Sequence, residues 1–172
     1  MISAAISIFF SLRTRTDTKL QIQLQAIALH RQFHGEMQKW ADAVVMTMTE
    51  AIFLCDLDPT KMPSSSLFNQ WLATRQKLSG LIDQGRWFLP NEQSKQPKRE
   101  ELAYRGIRQP ALNLVLDVYH LLKDFNYKSQ PPNRELRDKL TNTKRAFVSE
   151  MQAILNPKER QKELTDLLKS IG

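Results

Sequence analysis

The stretch FHGEMQKWADAVVMTMTEAIFLC, residues 33–55, decides the fold. Phe33, Met37, Trp40, Val44, Met48, Ala51 and Cys55 recur every three or four residues, so a helix places them in one stripe. Ala41, Val45 and Ile52 widen that stripe into a surface that faces a core. Leu20, Leu24 and Ile27 or Ala28 extend it backward, and the pattern predicts one long helix from Asp17 to Leu57. Gly35 interrupts the run and predicts a kink or a close helix approach. Asp58-Pro59 ends it, because the residue before proline is pushed out of the α region.

Working outward, Pro63-Ser64-Ser65-Ser66 offers cap oxygens for a second helix to about Gln84. Phe68, Trp71, Leu72, Arg75, Leu78 and Ile82 form its expected stripe. Gly85 is expected at the left-handed position that closes this helix, so Gly85-Arg86-Trp87-Phe88-Leu89-Pro90-Asn91 reads as non-helical. Residues 90–101 read as a loop, with a helical turn near Glu101–Ile107. Pro110 suits the first position of a third helix. Ala111, Leu112, Val115, Leu116, Tyr119, Leu122 and Phe125 make it the most apolar, and so the central one. Ser129-Gln130-Pro131-Pro132 is a rigid connection, and Asn133 is expected to cap a fourth helix. Leu136, Leu140, Thr143, Phe147, Met151 and Ile154 line that helix. Asn156-Pro157-Lys158-Glu159 resembles a capping box for a last one carrying Leu164, Leu167, Leu168 and Ile171. No run alternates with period two. The expectation is an all-α bundle of four to five helices with a long first helix, residues 1–16 being an apolar N-terminal segment and 17–172 the bundle.

Composition narrows the function classes. The chain has 172 residues, 41% hydrophobic, enough for one domain and too many for a disordered chain. Its 5 glycines argue against a P-loop or Rossmann enzyme, whose turns need positive φ. The single Cys55 excludes an internal disulfide and reads as a core thiol beside Asp56. The net charge of +7 is uneven: residues 59–110 carry nine Lys/Arg against four Asp/Glu. Such an excess suits phosphate-bearing partners or a solvated surface.

Residues 1–12, MISAAISIFFSL, hold no charge, and Arg13 and Arg15 follow. The run is shorter than the ~20 residues a spanning helix needs. It also lacks the basic leader of a signal peptide. It reads as an interfacial anchor, as the end of a longer membrane helix begun upstream, or as a helix packed on the domain. The basic flank of an anchor would leave the remainder on the cytoplasmic side.

Chemistry-bearing motifs are few. His30 and His34 lie four apart on one helix and with His120 could form a three-histidine metal site, although Arg31 opposes a cation. No nucleophile elbow, Gly-x-Gly-x-x-Gly turn or phosphate loop occurs, so neither an enzyme nor a cofactor is expected. The distinctive stretches are Gly85–Asn91 and Ala103–Pro110. Arg86, Trp87, Lys98, Arg99, Arg105 and Arg108 are the expected contacts for an anion or partner, the last two just ahead of a helix N-terminus. The alternative is that Trp87, Phe88 and Tyr104 plug the end of the bundle.

Those two stretches, with Ala146-Phe147-Val148-Ser149-Glu150 and Leu155-Asn156-Pro157-Lys158, resemble uncharacterised bacterial proteins. These have an N-terminal membrane segment and a small helical cytoplasmic domain. The resemblance covers the chain from Phe9 onward and implies location and architecture, not an activity; the short N-terminal run departs from it. The sequence therefore suggests a membrane-tethered interaction module, meeting anionic lipid through residues 1–16 and either a protein partner or a second copy of itself. The alternative is a soluble nucleic-acid- or phosphate-binding helical protein.

Overall fold

Helical periodicity is realised throughout the computed structural model, which describes residues 2–92, 106–126 and 131–171, with side chains for 17–92, 106–126 and 133–169. The helices are α1 (Ile2–Asp56), α2 (Ser64–Phe88), α3 (Pro110–Leu121), α4 (Pro131–Ile154) and α5 (Pro157–Ile171); a 3-10 turn, Leu122–Asp124, follows α3. The protein is an all-α bundle with a long first helix. Among the described residues there is no strand, only an isolated antiparallel bridge between Glu92 and Ile107. The chain divides into two compact units, one of residues 37–154 and the other of residues 1–36 with 155–172.

The larger unit holds the apolar core. From α1 it takes Met37, Trp40, Ala41, Val44, Met48, Ala51, Leu54 and Cys55, the expected stripe. α3 packs on both α2 and α4, and buries Ala111, Leu112, Val115 and Val118, which makes it the central helix. Leu136, Leu140, Phe147 and Met151 of α4 complete the interior. Two indoles lock elements together through main-chain carbonyls. Trp40 Nε1 donates to Leu81 O at 2.8 Å, and Trp71 Nε1 donates to Leu122 O at 2.6 Å.

Several expectations are corrected. Gly85 does not end α2: the Leu89 N–H donates to Gly85 O at 2.8 Å, and the helix runs on through Phe88. Glycine is required there for space, because a Cβ would lie 2.6 Å from Trp40 Cζ2 and 2.7 Å from Leu112 Cδ1. The inward face of α2 is also rotated, to Leu67, Thr74, Leu78, Leu81 and Ile82, leaving Phe68 and Leu72 exposed. Asn133 is not a cap, since α4 begins at Pro131; its amide instead grips the backbone of Asn126. No close approach surrounds Gly35, where a Cβ would meet nothing within 4 Å. Leu20, Leu24 and Phe33, expected in the core stripe, are exposed. The expected turn at 101–107 falls mostly outside the described residues, and its end, Ile107, pairs with Glu92.

Cys55 is a core thiol. Burial, reinforced by the Asp56 charge, pushes its pKa up to about 12. At pH 8 a thiol reagent should label the native chain far more slowly than the denatured chain, because the thiolate is scarce and access needs local opening. Equal labelling rates would place the thiol at the surface.

Candidate functional site

The site expected from sequence is the connection after α2, in the larger unit. Its two ends are joined by chemistry the sequence did not announce. Glu92 N donates to Ile107 O at 2.8 Å and Ile107 N donates to Glu92 O at 2.9 Å. Gln109 Nε2 adds a bond to Glu92 Oε1 at 3.2 Å. Gly106 makes the bridge possible: it has φ +93°, and a Cβ there would collide with the Glu92 carbonyl. The chain between, including Lys98, Arg99, Tyr104 and Arg105, lies outside the described residues.

The flanks of the bridge are described. Trp87 is 75% exposed, and Ile107 is exposed as well. The plug reading therefore fails for Trp87 and holds for Phe88, whose ring centre is 6.1 Å from that of Trp40. Arg86 differs from expectation. Its side chain is mostly covered and its Nε approaches Asp83 at 3.8 Å. Arg108 donates to Asn113 Oδ1 at 3.1 Å, across the first turn of α3. Both arginines are thus oriented by neighbours, and Trp87 and Ile107 are left facing water.

The three histidines do not share an element. His120 sits on α3 in the larger unit, its ring 5.7 Å from that of Tyr119. It lines an open groove of about 560 Å³ with Asp117, Asp124, Lys139, Asn142 and Thr143. His30 and His34 belong to the smaller unit, where the third group beside them is Glu163 of α5. That carboxylate was missed because α5 reads as an ordinary amphipathic helix. Only its docking against α1 reveals the cluster.

Two cationic side chains elsewhere are held for structural reasons. The Arg75 guanidinium lies between the rings of Trp71 (4.8 Å) and Tyr119 (4.5 Å), joining α2 to α3. Lys77 donates to both carboxylate oxygens of Glu50 at 2.8 Å, across α1 and α2.

Among the described residues no helix is long and apolar enough to cross a membrane. No protein-family model, curated protein or solved structure matches the chain.

Proposed function

We propose that the protein is a non-enzymatic helical interaction module, held at the cytoplasmic face of a membrane by residues 1–16 and presenting the connection 86–108 to a protein partner or a second copy of itself. The observation that carries this reading is Trp87, 75% exposed at the foot of a basic segment whose ends are bridged. A large aromatic left in water at the start of a stretch rich in Lys and Arg is what a partner's apolar pocket with an acidic rim would bury. The Glu92–Ile107 bridge fixes the two described ends between which that stretch runs. Support for an interfacial tether comes from the described part of α1 nearest the apolar run. Leu20, Ile22, Leu24 and Leu29 are all exposed there, Leu29 to 66%. A helix that leaves such side chains uncovered and ends in MISAAISIFFSL suits the headgroup boundary.

Flotation with vesicles containing anionic lipid tests the tether. The full chain should float, and a chain lacking residues 1–12 should remain in the dense fraction with the helicity of the bundle retained. A truncated chain that still floats, or a full chain that never does, overturns the tether. If the chain instead binds an oligonucleotide with steep salt dependence, and loses it on Arg105→Ala with Arg108→Ala, the soluble phosphate-binding reading replaces this one.

A further inference from the structure

We propose that His30, His34 and Glu163 hold a zinc ion that staples α5 to the front of α1. The inference is independent of the tether and concerns the smaller unit alone.

Among the unit's described residues His34 is the only buried one, at 8% exposure. Ordinarily a helix pair is held by an apolar seam, and among the described residues the most enclosed side chain here is an imidazole. Small units without a sufficient core commonly depend on a disulfide or a structural metal. The single cysteine lies in the other unit, so an internal disulfide cannot make this link.

The donor geometry suits one. His30 Nε2 and His34 Nε2 point at each other, 3.1 Å apart. Glu163 Oε2 lies 3.8 Å from the first and 3.7 Å from the second. A tetrahedral zinc with bonds of ~2.0–2.1 Å places its donor atoms roughly 3.3–3.4 Å apart. The three observed separations bracket that value, so a few tenths of an ångström at the exposed carboxylate close the site. The two carboxylate distances exceed hydrogen-bond reach. The carboxylate thus approaches both rings at ligand spacing without bonding either.

The surroundings of the His34 ring bear on the same site. Burial first, then the neighbouring His30, holds the His34 pKa below its ordinary value, with Glu163 opposing and Arg160 adding to the depression. The His34 Nδ1 is buried and finds no partner, so the ring's polar contacts all lie on the Nε2 side. The Arg160 charge disfavours a bare cation, but the ion brought together with Glu163 leaves only one net positive charge. Three protein ligands leave one coordination position for water.

Zinc titration of the tag-free full chain by calorimetry tests the site, with cobalt(II) absorption reporting coordination. One ion per chain should bind, cobalt should show the intense visible bands of a four-coordinate centre, and zinc should raise the melting temperature. Losing one ligand should weaken binding by about 100-fold or more, since even outer-shell partners are worth 10–100-fold. His34→Ala tests a buried ligand. Glu163→Gln, at an exposed position, tests one whose loss leaves the helices intact. His120→Ala should bind as the unaltered chain does. No stoichiometric zinc binding by the full chain, or unchanged binding by Glu163→Gln and by His30→Ala with His34→Ala, overturns the proposal.

Discussion

Replacing Asn133 with alanine should lower folding stability by about 2–3 kcal/mol, since it removes two hydrogen bonds worth roughly 0.5–1.5 kcal/mol each and empties a buried site. The Asn133 side chain is fully buried. Its Oδ1 accepts from Asn126 N at 2.8 Å, and its Nδ2 donates to Asn126 O at 2.9 Å. One amide thus bonds both main-chain groups of Asn126, close to the 3-10 turn that follows α3. Alanine removes both bonds and leaves a void. Aspartate keeps the acceptor but faces the Asn126 carbonyl with a second acceptor, so it should be at least as harmful. Urea unfolding followed by tryptophan fluorescence checks this: the midpoint should fall while the slope stays constant. A loss below about 0.5 kcal/mol, the range of ordinary surface substitutions, would show that water replaces the amide at both groups.

Asn133 also shows where sequence reasoning stops. An Asn behind two prolines is a good cap, and nothing local distinguishes capping its own helix from gripping the previous connection. Proline tolerates the first helical turn, so α4 could start at Pro131 and carry Asn133 inside. The α1 stripe was legible because Met37, Trp40, Val44, Met48, Ala51 and Cys55 are apolar at strict helical spacing, and a buried face has few other ways to be encoded. The α2 face was not, because it buries Thr74 and Gly85 and leaves Phe68 and Leu72 outside. Ranking by hydrophobicity rewards bulk, whereas a close helix crossing selects small side chains. The same limit governs the candidate sites. His30 and His34 were legible as an i, i+4 pair, but Glu163 joins them only when α5 docks, and the Glu92–Ile107 bridge depends on two distant backbones. Periodicity reads the face of a helix, and sites are built between elements.

The Trp40–Gly85 contact should give the largest single loss: Trp40→Ala should cost about 3–5 kcal/mol, the range for deleting a buried large aromatic. That residue fills the space between α2 and α4, its ring centre 5.9 Å from Phe147 and 6.1 Å from Phe88, while its indole N–H satisfies Leu81 O. The indole can sit there only because residue 85 has no Cβ. Gly85→Ala sets two effects against each other. Alanine gains about 1 kcal/mol in helix propensity, but overpacking costs about 1–3 kcal/mol. The ring cannot retreat without breaking its bond to Leu81, so the second effect wins and the variant should be less stable by about 1 kcal/mol. In the Trp40→Ala background the indole is gone, and only the terminal Leu112 Cδ1 methyl, which can turn into the vacated space, opposes the new Cβ. There Gly85→Ala should become neutral or stabilising. This sign change, read from the four unfolding free energies of the double-mutant cycle, isolates the contact from the general cost of emptying the core. If Gly85→Ala has the same effect in both backgrounds, the glycine is not kept for the indole, and the packing of α2 against α1 must rest on another contact.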